Sequence, residues 1–203
     1  VKSGPTLEKL ARAKTFAFDK TGTLTENQLI VDQVVTDDKS FDQKELQSLA
    51  ASVEQQSSHV IASSLVKATD KDLIHPVTNL KETTAQGVEG DVDGKHVKVG
   101  KLSFVAPGHE KLNVTSTAVY VSVDGKFAGY ITLKDKMRPE SPKTIERLRR
   151  QGAEDIMMLT GDHKQVAEKV AKEAGITDVR SELLPSQKIQ AIKDVPKDLR
   201  PVV

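Results

Sequence analysis

The sequence contains no cysteine, so disulfides and thiolate metal sites are excluded, and a reducing compartment is a natural setting. Aromatic residues make up only 3% of the chain, too few to build the stacking platforms that single-stranded nucleic acid needs. Charge of one sign is also missing: 30 Lys and Arg face 29 Asp and Glu, and the formal net charge is +1. Nothing in that balance draws the chain to nucleic acid or to an anionic membrane surface. No apolar run approaches the ~18 residues of a membrane span. The start, Val1-Lys2-Ser3-Gly4-Pro5, lacks the apolar core of a signal peptide, and the chain reads as soluble. What is present is length: 203 residues suffice for one large domain or two small ones, each with its own core.

The pattern along the chain is that of a domain interrupted by an insert. Leu7 to Ala11 reads as a short helix, and Thr15-Phe16-Ala17-Phe18 as an apolar strand ending at Asp19. Gln28 to Val35 alternates loosely and runs into the polar turn Thr36 to Lys39. Leu46, Leu49, Ala50 and Val53 have the three-and-four spacing of an amphipathic helix over Asp42 to Glu54, and Val60 to Ala68 repeats it. From Val77 to Leu133 the texture changes to short β-rich runs. Asp93-Gly94 and Asp124-Gly125 are hairpin signals there, predicting an antiparallel sheet that carries the two preceding helices. Beyond Leu133, helices and strands alternate. A Pro-opened helix stops at Gly152; Asp155 to Leu159 is a buried strand; His163 to Ala174 is a helix closed by Gly175. An extended piece begins at Val179, and a last helix covers Ser186 to Ile192. Alternating β and α predicts a parallel sheet. The fold class is therefore α/β: a Rossmann-like parallel-sheet domain over residues 1–33 and 133–203, interrupted by an α+β domain with an antiparallel sheet over residues 34–132.

Asp19 leads the candidate chemistry. A carboxylate at the carboxyl end of a buried strand lies where open α/β sheets bind ligands, although a lone Asp there is ordinarily a cap or a turn residue. Thr160-Gly161-Asp162 recurs at the end of a second strand and opens a helix, so two strand ends can converge on one ligand. The Thr160 hydroxyl and nearby amides suit a phosphoryl group, and Lys188 can neutralise developing charge. Phosphoryl transfer rests mainly on such positioning and electrostatics. The remaining histidines, His75, His96, His109 and His163, show no metal-ligand spacing. The cluster Arg147, Arg149 and Arg150 is read as complementing a helix C-terminus.

The run Asp19-Lys20-Thr21-Gly22-Thr23-Leu24-Thr25 resembles the phosphorylation motif of P-type ATPases, members of the haloacid dehalogenase-like superfamily. The resemblance implies that Asp19 takes the γ-phosphoryl group of ATP, with Lys20 and Thr21 as its motif neighbours. It implies Mg²⁺ bound by Asp19 and by the Thr21 carbonyl. It makes Thr160, Gly161 and Asp162 the second phosphoryl-binding motif and Lys188 the lysine on the phosphoryl group. Asp135 to Pro139 resembles the hinge where the insert rejoins the core, with Asp135 and Arg138 helping to hold the nucleotide. The insert resembles the nucleotide-binding domain of the heavy-metal-transporting subclass, which implies that Glu54, His59, Gly87 and Gly100 contact ATP. Soluble phosphatases of the superfamily, the alternative reading, carry a second Asp two residues after the nucleophile as general acid and base. Here that residue is Thr21, whose hydroxyl cannot activate water as a carboxylate does. A nucleotide-binding module without catalysis is a third reading.

The chain departs from the family pattern at Val60, where Pro usually follows the His, at Ala85 in place of a loop glycine, at Lys101 in place of an Asn, and at His163 in place of an Asn. Leu199 to Val203 resembles the opening of a core strand that leads, in the family, to a Mg²⁺-binding Asp. The chain stops short of it. The expectation is thus a part of a pump, C-terminally truncated and impaired in phosphorylation of Asp19. Its partners are expected to be the membrane helices and actuator domain of the same pump, on the cytoplasmic side of a membrane. The transported heavy-metal cation is expected to bind elsewhere in that pump.

Overall fold

A computed structural model describes residues 15–193, apart from 38, 110, 111, 113 and 115. The expected helix at Leu7 to Ala11 and the strand opening at Leu199 lie outside the described residues. The chain divides into two compact units, Val1–Asn27 with Asp135–Val203, and Gln28–Lys134. These junctions compare with the 33/34 and 132/133 read from the change in sequence texture. Two strands longer than the sequence suggested, β2 (Thr25–Thr36) and β7 (Lys126–Met137), carry the chain across both junctions. Thr36, expected in a turn, ends β2, and the Asp37 amide donates to the Ala128 carbonyl at 2.9 Å.

In the first unit the described strands β1 (Thr15–Asp19), β8 (Asp155–Leu159) and β9 (Asp178–Arg180) form a parallel sheet in the order β1-β8-β9. Alternating side chains bury both faces, as a parallel sheet requires. Phe16, Ile156 and Met158 pack with Ile145 of α4 (Ser141–Arg150) and with Ala167, Val170 and Ala171 of α5 (Lys164–Ala174). Ala17, Met157 and Leu159 point the other way, against Leu183 and against Ala191 of α6 (Pro185–Lys193). Helix α4 has Pro in its first turn, and α5 ends in Gly175 at φ +83°, a left-handed cap that a Cβ would strain. The Arg149 guanidinium donates to the Gly175 carbonyl, while Arg150 pairs with Glu146 one turn back. Within the basic cluster, Arg149 thus serves the end of α5, while Arg150 serves its own helix.

In the second unit α1 (Gln43–Glu54) and α2 (Val60–Ala68) pack over a sheet of β2, β3 (Thr78–Thr83), β4 (Gly87–Val92), β5 (Lys95–Gly100), β6 (Thr117–Val123) and β7, in the order β2-β7-β6-β5-β4-β3. Helix α1 starts at Asp42, whose carboxylate accepts from the Glu45 amide at 2.7 Å. Its apolar stripe, Leu46, Leu49, Ala50 and Val53, is buried against Val88, Val92, Val97, Val99, Val121 and Ile131. Those sheet residues come from β4, β5, β6 and β7. Strand β3 forms the edge beside β4, and the short α3 (Leu102–Val105) follows β5. The hairpin turns hold Asp93 and Gly94 at φ 52° and 78°, and Asp124 and Gly125 at 51° and 81°. Two successive positive φ values match the twist of the flanking strands, which is why Asp-Gly marks these turns.

Candidate active site

Residues Asp19 and Leu159 are partners across the parallel pair β1–β8, so Thr160 and its loop begin at the same carboxyl end of the strands as the Asp19 carboxylate. Asp19 is 45% exposed at its side chain, open to an incoming group, and its Oδ1 accepts from Lys188 Nζ at 3.1 Å. Lys188 reaches it from α6, 169 positions away in the sequence. The chain turns sharply after Asp19 over Lys20–Leu24, with Gly22 at φ +82°. A Cβ at Gly22 would meet no neighbour, so its backbone conformation alone favours glycine there. The fully buried Thr25 closes this turn: its hydroxyl donates to the Lys20 carbonyl at 3.2 Å and accepts from the Gly22 amide at 3.3 Å.

Lys20 points inward and is only 3% exposed at its side chain, where it pairs with both Asp135 and Asp162. Burial by itself would lower its pKa, but the hydrogen bonds and charges of the two carboxylates outweigh burial and hold it above the ordinary lysine value. One buried ammonium therefore ties the turn after β1 to the end of β7 and to the loop after β8, three segments distant in sequence. Thr160 is buried, its hydroxyl accepts from the Asp162 amide at 3.1 Å, and its carbonyl accepts from the Leu183 amide at 3.0 Å. Gly161 passes so close to Leu183 that a Cβ would lie 3.2 Å from that carbonyl. Arg138, half-buried, donates to the carbonyls of Thr23 at 3.1 Å and of Gly22 at 3.1 Å. It braces the turn that presents Asp19. Thr21 is exposed in that turn. Asp19 with Lys188, and Lys20 with Asp135 and Asp162, thus form two ion-paired groups on successive residues of the chain, with Arg138 and Thr25 supporting the turn between them and β2. Thr25 stands in the motif, but its spacing gave no sign of its hydrogen bonds, which depend on how the turn folds.

The other four residues expected at a ligand lie together in the second unit. Glu54, His59, Gly87 and Gly100 all line one cleft of ≈ 250 Å³, with Glu82, Ala85, Gln86 and Lys101. Glu54 ends α1 and is almost fully buried. Burial raises its carboxyl from the ordinary 4.5 to about 7, with His59 opposing the rise and Glu82 adding to it. His59 stands at the N-cap of α2 without capping it, and its Nε2 lies 3.2 Å from Glu82 Oε1. Gly87 and Gly100 are cross-strand partners in β4 and β5. A Cβ on Gly87 would fall 2.3 Å from the Val99 carbonyl oxygen, and one on Gly100 2.3 Å from that of Gln86. The backbones themselves require glycine at both positions. Glu82, 23 residues beyond His59, carried no sequence signal because only the β3–β4 pairing brings it to the cleft.

The sequence profile of the haloacid dehalogenase-like hydrolases matches residues 13–203. The chain belongs to this family. Among its relatives is a zinc-transporting ATPase of Synechocystis, 35% identical over 199 residues, which cover 96% of this chain and 28% of that protein. The chain therefore spans less than a third of that relative's length. Among solved structures, a zinc-transporting PIB-type ATPase in an E2.Pi state superposes with a TM-score of 0.79 at 30% identity, covering 95% of this chain and 33% of that one. The catalytic domain of a CPx-ATPase, studied for its conformational changes on nucleotide binding, superposes with a TM-score of 0.66 at 29% identity, covering 95% and 72%. These neighbours have the combination seen here, and the α/β fold with an inserted antiparallel unit is that of P-type ATPase catalytic domains within this family.

Proposed function

We propose that this chain is the ATP-binding and phosphorylation region of a heavy-metal cation-transporting P-type ATPase. The observation that carries the reading is the convergence at the carboxyl end of the strands of an accessible Asp19, a lysine on its oxygen, and a buried Lys20 joined to Asp135 and Asp162. In this reading a carboxylate oxygen of Asp19 attacks the γ-phosphorus of ATP. The bond to the β–γ bridging oxygen breaks, ADP leaves, and an acyl phosphate remains on Asp19. Lys188 compensates charge on the transferring group. Lys20 keeps the end of β7 at Asp135 and the loop of Asp162 in place, and Arg138 keeps the turn of Asp19 in place. Thr21 supplies no carboxylate to activate water, which favours a persistent acyl phosphate over rapid phosphatase turnover.

The adenine end of ATP is assigned to the cleft of Glu54, His59, Gly87 and Gly100. Among the described residues no cluster of three or more His, Asp or Glu forms a ready metal cage. The Asp19 carboxylate and the Thr21 carbonyl are nevertheless hard oxygen donors of the kind Mg²⁺ takes when it arrives with substrate phosphates. Bound there, Mg²⁺ would lower the charge repulsion between the carboxylate and the phosphoryl group. The rest of the pump, its membrane helices and actuator domain, and a cytoplasmic setting for this region belong to the same proposal, supported by the zinc-transporting relatives.

The test is incubation with γ-labelled ATP and Mg²⁺ followed by acid quench. We expect weak acid-stable label that hydroxylamine removes and that Asp19→Asn abolishes. Label that persists in Asp19→Asn would refute Asp19 as the nucleophile, and rapid turnover of p-nitrophenyl phosphate would favour a phosphatase.

A further inference from the structure

The cleft of the second unit contains acidic and basic groups contributed by different elements. Glu54 closes α1, and Glu82 stands on β3, 56% exposed at its side chain. Lys101 follows β5 and is the only lysine or arginine among the cleft's described lining residues. Its backbone is fixed in place: the Lys101 amide donates to the Gln86 carbonyl at 2.9 Å, immediately beside the Gly87–Gly100 pair. Its side chain is exposed, and among the described residues no carboxylate pairs with its ammonium. Nearby Lys98, by contrast, lies over the Phe104 ring, 5.3 Å from its centre.

A nucleotide in this cleft is electrically lopsided: its base is neutral and its phosphate chain carries several negative charges. The Glu82 carboxylate repels that chain and the Lys101 ammonium attracts it. We infer that Lys101 is a further recognition residue, its ammonium taking the phosphate chain of the nucleotide so that the cleft selects nucleoside phosphates over nucleosides. The inference rests on the adenine-nucleotide reading of the cleft. A lysine is suited to the role because its ammonium is a mobile point charge that follows a flexible phosphate chain, whereas Asn supplies only a neutral amide.

The experiment is calorimetric titration of the whole chain and of Lys101→Asn and Lys101→Arg with two probes: ATP, and adenosine, which has base and ribose but no phosphate. Amide signals of Glu54, His59, Gly87 and Gly100 report that each probe enters the cleft. We expect Lys101→Asn to weaken ATP by about five- to tenfold, to leave adenosine unchanged, and to flatten the loss of ATP affinity with added salt. Lys101→Arg should restore ATP binding. An equal loss for both probes, which a folding defect or a changed base pocket would give, overturns the inference, as does undiminished ATP binding in Lys101→Asn. If neither probe moves the cleft signals of the unaltered chain, the adenine-nucleotide reading itself fails and the inference falls with it.

Discussion

Glu54 shows how one side chain couples the cleft to the stability of the fold. Below about pH 4.5 the folded and unfolded chains both keep its proton. As the pH rises from there, unfolded Glu54 ionises while the buried carboxyl, held at about 7, does not. The unfolded state then binds fewer protons, so stability present at low pH is lost progressively up to about pH 7. A shift of this size corresponds to roughly 3 kcal/mol. Glu54→Gln keeps the shape and cannot ionise. Urea denaturation should therefore show the variant gaining roughly 2–3 kcal/mol on the unaltered chain between pH 5 and pH 8. A gap that does not change with pH would count against a buried, neutral Glu54. Lys20 is the contrasting case. Its burial is as deep, but two carboxylates keep it charged, and its work is to join strand β7 and the Asp162 loop rather than to titrate near neutrality.

At the scale of the element, the β3–β4 connection is strained at one residue. Ala85 sits at φ +61°, where its Cβ crowds the backbone. The turn is closed by the Gln86 amide on the Thr83 carbonyl at 3.0 Å, so the conformation is imposed by the strands on either side. Ala85→Gly should raise stability by about 1 kcal/mol, read as a higher urea midpoint with an unchanged slope. A lower midpoint would mean that the turn gains more from Ala85 packing than it loses to strain. The turn after β1 solves a related problem differently: Gly22 takes the positive φ, Thr25 closes the ring of hydrogen bonds, and Arg138 holds the outward-facing carbonyls.

For the molecule as a whole, the cores are separate. Leu46, Leu65, Val97, Val121 and Ile131 cluster entirely within residues 28–134, and Phe16, Ile145, Met158 and Ala171 entirely outside them. Strands β2 and β7 are neighbours in the sheet, and Lys134 pairs with Asp32 at 3.7 Å, so the inserted unit enters and leaves on adjacent strands. A unit with its own core and neighbouring ends is suited to independent folding. Excised residues 28–134 should give a cooperative thermal transition by circular dichroism and keep the response of the cleft amides to ATP. A non-cooperative melt would show that the second unit depends on the first.

The sequence by itself determined the elements and the chemistry of single positions. Period and punctuation marked α1, α2, both Asp-Gly hairpins and the alternating second half, because those signals are local. The motif around Asp19, with Thr160-Gly161-Asp162 and Lys188, was legible for the same reason: each piece is a short run at a strand end or helix start. The tertiary structure alone decided the partnerships. It placed Lys188 on Asp19, gave Asp135 and Asp162 to Lys20, engaged Arg138 with loop carbonyls, and set Glu82 and Lys101 in the cleft with Glu54 and His59. It also showed that Gly87 and Gly100 are glycines because each would collide with the other's strand. These contacts join residues tens to more than a hundred positions apart, through strand register and loop closure. Local pattern carries no information about which distant charge will face a buried one; packing the two cores settles it.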